Sequence, residues 1–92
     1  MVNLPATFDP SPDAPPYVPD PTSAYRVNFA FRVDFTNGGH SQGEDFLLDL
    51  HSDTVPPARL AEMIVSALNL LRAGPVTIHR VQVVRRGERD DA

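Results

Sequence analysis

From Tyr25 to Thr36 the chain alternates without a break. Tyr25, Val27, Phe29, Phe31, Val33 and Phe35 take one parity, and Arg26, Asn28, Ala30, Arg32, Asp34 and Thr36 take the other. This is the period of a strand with one buried and one wet face. Asn37-Gly38-Gly39 follows at once, and Asn-Gly supplies the positive φ values of a tight hairpin turn. The chain must therefore fold back and pair with the run from Glu44 to His51. A two-residue loop at Asn37-Gly38 sets Phe29 opposite Phe46, Val27 opposite Leu48, Tyr25 opposite Leu50 and Arg26 opposite Asp49, so that apolar meets apolar and opposite charges meet on the wet face. A three-residue loop would instead set Asp49 against Val27 and Leu47 against Phe29, mixing the faces, so the two-residue loop is expected.

After the hairpin, Ser52-Asp53-Thr54 offers cap residues and Pro56-Pro57 suits a first helical turn, where missing N–H groups cost little. The spacing predicts a helix to about Ala73, with Leu60, Met63, Ile64, Ala67, Leu68 and Leu71 on one stripe and Arg59, Glu62, Ser66 and Asn69 opposite. Gly74-Pro75 is the expected stop. A last strand spans Val76 to Arg86. Its apolar parity changes between Val76/Ile78 and Val81/Val83, which implies a bulge near His79-Arg80. The order strand, strand, helix, strand predicts a small α+β domain of ββαβ type. Its three-stranded sheet has order 3-1-2, with the helix laid on the aromatic face.

Residues 1–24 read differently. They hold seven of the ten prolines, three aspartates and no basic residue, a composition that does not bury enough apolar surface to fold alone. The expected organisation is a proline-rich acidic arm over 1–24, disordered or partner-bound, the ββαβ domain over 25–86, and a polar tail over 87–92. Its P-x-x-P spacings lack the flanking basic residue that polyproline ligands use.

Composition removes several chemistries. The chain of 92 residues has no Cys and no Lys, so disulfides, thiolate metal sites, Schiff-base lysines and phosphate-loop lysines are excluded. The net charge of −4 and the acids set among the arginines argue against nucleic acid, and the aromatics lie on the face that the helix must cover. With no long apolar run, the expectation is a soluble, cytoplasmic protein that binds neither membrane nor nucleic acid. His40, His51 and His79 lack the converging partners of a metal site, so no metal and no cofactor are expected. Two prolines at the helix start remove N–H donors that a phosphate site would need.

The remaining signal is a mismatch of lengths. A strand of about 12 residues reaches ~40 Å, whereas a helix of about 18 covers only ~27 Å. The hairpin tip should overhang, leaving Val33 and Phe35 apolar beside polar His40, and an uncovered apolar tip invites association. The expected function is a small cofactor-free interaction module, a homodimer or an accessory subunit docking on a larger enzyme or assembly, with Val33, Phe35 and His40 at the interface. The alternative is a cyclase-, isomerase- or hydrolase-like enzyme with a site between subunits, in which Asp49 and His51 serve as acid-base groups.

Overall fold

The alternating segment forms strand β2 (Tyr25–Phe35) of a computed structural model that describes residues 4–70 and 72–86. It pairs with β3 (His40–Leu50) on one side and β4 (Ala73–Arg85) on the other, both antiparallel. Helix α1 (Pro57–Ala67) lies between β3 and β4 in the chain. The three expected strands stand in the expected order, but the sheet has four strands rather than three. Strand β1 (Ala6–Phe8), drawn from the arm, adds beside β4 and gives the order β1-β4-β2-β3. Three residues are too few to show a period, so composition concealed this strand. Thr7 and Thr77 hydroxyls meet across the new pair at 2.9 Å.

The hairpin reaches its expected register by two compensating departures. The turn holds three residues, not two: the Phe35 N–H donates to Gly39 O at 3.1 Å, and Gly38 and Gly39 take φ of 92° and 86°. This sets Phe31 opposite Gly43 and Asp34 opposite His40, one step from the predicted pairing. A bulge at Glu44-Asp45, with Asp45 at φ 57°, then restores the register. Beyond it Phe29 faces Phe46, Val27 faces Leu48, Tyr25 faces Leu50 and Arg26 faces Asp49. In β4, Arg80 pairs with Ala30 and Ile78 with Phe31, which leaves His79 as an extra residue where the apolar parity changes. Val76 and Ile78 are consequently buried, and Val81 and Val83 pack on the same core from the far side of the bulge.

The helix is shorter than expected. Pro56 caps it without a side-chain bond, while the Ser52 hydroxyl turns to Thr54 O. At its end Asn69 adopts φ 55°, with Asn69 N–H bonded to Ser66 O and Leu70 N–H to Val65 O. This is the double hydrogen bond of a left-handed C-terminal cap, with Asn where Gly is commoner. Gly74-Pro75 therefore belongs to β4 rather than to a helix stop. A Cβ added at Gly74 would lie 2.8 Å from Asp34 O, so Gly there lets two backbones approach at a second shift in the β2–β4 register.

The core joins Val27, Phe29, Phe31 and Val33 to Leu48, Leu50, Leu60, Ala61, Met63, Ile64, Val76 and Ile78. Ala67 is exposed, and Leu71 lies outside the described residues. Residues 4–24 lie against the domain rather than standing apart from it. They cross the helix face carrying Arg59, Glu62 and Ser66, which the wheel assigns to solvent. Arg59 donates to Pro15 O at 3.0 Å, and the Tyr17 N–H donates to Ser66 Oγ at 2.8 Å. The tail over 87–92 is outside the described residues.

Candidate interaction surface

The tip does not carry the expected apolar overhang. Val33 is fully buried, and Phe35 is half-buried against a core that Phe8, Leu68, Leu70 and Ala73 extend toward that end. The early helix stop returns the chain to the sheet within a few residues, where Ala73 pairs with Phe35. Of Val33, Phe35 and His40, only His40 is exposed, and it stands opposite Asp34 on the open face.

Among the described residues the exposed large apolar side chains are Leu4 and Val18 in the arm and, side by side in the edge strand β3, Phe46 and Leu47. Phe46 is 39% and Leu47 43% exposed. As neighbours in a strand they point to opposite faces of the sheet. Phe46 is held on the helix side by two rings, with centroids 6.1 Å from Phe29 and 5.3 Å, edge-on, from Phe31. Gly43 makes room for it, since a Cβ there would fall 2.5 Å from the Phe46 ring. Leu47 stands opposite Asn28 on the open face. The triplet Phe46-Leu47-Leu48 breaks the alternation of its strand, and that break is the sequence signal that marks Leu47 as an apolar residue on the wet side.

The rest of the open face carries Ala30 and Val84 among polar residues, several of them paired with one another. Arg80 spans the sheet to bond Asn28 Oδ1 at 2.7 Å and Asp45 Oδ1 at 3.0 Å, and Arg32 pairs with Asp34. Between the bulges of β3 and β4 lies a depression of about 480 Å³ with Ala30, Gln42, Glu44 and His79 on its lining. Bulges commonly re-aim side chains in this way.

Asp49 and His51 border a cleft of about 370 Å³ with Tyr17, Leu50, Arg59 and Met63. Asp49 Oδ1 is ion-paired with Arg86, and Oδ2 accepts the Asp20 N–H at 2.7 Å. The expected partner of Asp49, Arg26, makes no such pair, and among the described residues its buried Nε has no hydrogen-bond acceptor. Arg86 also donates to Ser23 O and Oγ, so one guanidinium gathers the end of β4, the arm and β3. The Asp49 N–H donates to Tyr17 Oη at 2.8 Å. Burial and the neighbouring Asp49 push the Tyr17 hydroxyl above its ordinary pKa. Hydrogen bonds from the Thr22 hydroxyl and N–H hold the Asp20 carboxyl below its own. His51 is mostly exposed, with Nε2 3.6 Å from Asp20 Oδ2.

Among the described residues no three His, Asp or Glu side chains gather in a metal-binding group, and no helix is long and apolar enough to cross a membrane. Compared with family models, with curated proteins and with solved structures, the chain has no significant match.

Proposed function

We propose that the protein is a cofactor-free interaction module that docks on a protein partner through the side chains of Phe46 and Leu47. The observation that carries this reading is the exposure of two adjacent large apolar residues at the centre of an edge strand, one ring of the pair held rigid by Phe29 and Phe31. A preoriented aromatic loses little rotamer entropy on binding, which is why such residues anchor interfaces. The strand itself resists backbone pairing: the Glu44-Asp45 bulge and its two acids blunt the edge. Recognition therefore falls to side chains.

The experiment is native-mass measurement of the complex from source cells carrying wild-type or Phe46→Ser/Leu47→Ser protein. Loss of the complex, with the helix and sheet circular dichroism of the purified variant intact, is expected. A complex of unchanged mass and stability in the double variant refutes the reading. The enzyme alternative has the Asp49/His51 cleft in its favour. It is disfavoured because both Asp49 carboxylate oxygens are already engaged, by Arg86 and by the Asp20 N–H.

A further inference from the structure

Strand β4 offers a second edge, and the register decides which of its backbone groups face outward. The Asp49 N–H points away from β2, toward Tyr17 Oη. Its partner Arg26, and Asn28 two residues on, therefore direct their backbone groups toward β4, where they face Val84 and Gln82. The Arg86 N–H bond to Ala24 O continues the same parity. Gln82 and Val84 are thus satisfied by β2, while Val81, Val83 and Arg85 present their N–H and C=O groups to the outer side. Strand β1 covers only Val76 to Ile78, and among the described residues no strand pairs with the outer side beyond them.

We propose that a second copy of this chain occupies this edge, β4 against β4, antiparallel about a two-fold axis at Gln82. The proposal deepens the interaction-module reading and rests on it for the view that this protein works in association. The axis meets the backbone parity that an isologous antiparallel strand pair requires. It sets Val81 against Val83 of the other copy, both on the helix side and both with outward-facing backbone groups. It sets Gln82 against itself and Arg80 against Val84 on the open face, so no like charges stand opposite one another from Arg80 to Val84. The half-buried valines of the two copies become one apolar strip. Val81-Gln82-Val83-Val84 holds no Pro, no Gly and no charge, the composition of an edge that natural proteins otherwise guard. Strand β3 does not serve this purpose: it carries the bulge and acids, and its Asp49 N–H is already bound by the arm. The two edges thus divide the work, with β4 joining copies and β3 left outward for the partner.

Sedimentation velocity from micromolar to millimolar chain tests the pairing. The wild type is expected to form a dimer that dissociates on dilution. Gln82→Glu, an exposed change, places two carboxylates across the axis and should weaken the dimer about tenfold or more at neutral pH, since opposed like charges at an interface are costly. Protonation in acid should restore it. Val83→Pro deletes one outward N–H without touching a bond to β2 and should also yield monomer. A dimer indifferent to both changes overturns the proposal. If that dimer is instead lost in Phe46→Ser/Leu47→Ser, the module reading survives with β3 as its contact. A wild-type monomer at millimolar concentration also overturns the proposal, and slow exchange of its Val81 and Val83 amides would mean that its own chain closes the edge. Neither monomer result touches the Phe46/Leu47 test on the cellular complex, so the two readings fail separately.

Discussion

Replacing Asp49 by Ala separates a clamp from a catalytic group. The substitution removes the carboxylate from Arg86 and the acceptor from the Asp20 N–H. A hydrogen bond to a charged group contributes ~1.5–3 kcal/mol and a neutral one ~0.5–1.5 kcal/mol. The Asp49 and Arg86 side chains are 17% and 28% exposed, so water recovers part of the loss. The expected net cost is about 2–3 kcal/mol, a large share of the ~5–15 kcal/mol typical of a domain. At ~4–8 °C per kcal/mol for this chain length, the melting midpoint should fall by roughly 10–20 °C. Asp34→Ala provides the contrast. The Arg32–Asp34 pair is 44% and 41% exposed, and its loss should cost less than ~0.5 kcal/mol. The assay is thermal and urea unfolding followed by circular dichroism, closed into a double-mutant cycle with Arg86→Met, where a coupling of ~1–2 kcal/mol is expected. An Asp49→Ala protein that melts within a few degrees of the wild type, or a cycle without coupling, refutes the clamp. The enzyme alternative expects the reverse pattern, an Asp49→Asn protein that loses an activity and keeps its stability.

Ile64→Ala should destabilise the fold by ~2–5 kcal/mol, because Ile64 is fully buried in the shared core of α1 and the sheet; urea unfolding at constant m-value measures it, and a cost under ~1 kcal/mol would contradict the packing. Asp20 gives an acid limb: its folded pKa lies below the ordinary 3.8, so its contribution is present above that value and is lost as pH falls through the folded value. Thr22→Val removes the hydroxyl donor, so its midpoint should lie below that of the wild type at pH 6 and converge with it at pH 2. Parallel midpoint-against-pH curves would exclude the Thr22 hydroxyl as the cause.

Two features of the fold were legible because each residue declared its own face. The alternation from Tyr25 to Thr36 specified which side chains enter the core, and the parity change across His79-Arg80 located the bulge that the β2–β4 register contains. The hairpin base was readable for a subtler reason. A three-residue turn and a bulge each shift the register by one and cancel, so pairing beyond Phe29 is that of the simpler two-residue turn. The helix end was misplaced because Gly74-Pro75 is the stronger breaker in isolation, while Asn69 stops the helix through a left-handed conformation that Asn tolerates. The candidate surface was only half legible. Phe46 was paired correctly with Phe29, yet pairing at an edge leaves one flank of a ring in water.

The arm was hidden for a thermodynamic reason. Its lack of an apolar period correctly excludes an independent fold, but docking requires only that contact outweigh the entropy lost on ordering. Seven prolines have already surrendered much of that entropy in the unfolded chain. A short strand, the Pro15 carbonyl on Arg59, and Tyr17 bridging Ser66 and the Asp49 N–H then suffice to hold the segment across the helix. Each of these contacts joins residues more than thirty positions apart, and no local pattern encodes them. The composition that marks a segment as unable to fold alone is also the one that lets it dock with few contacts.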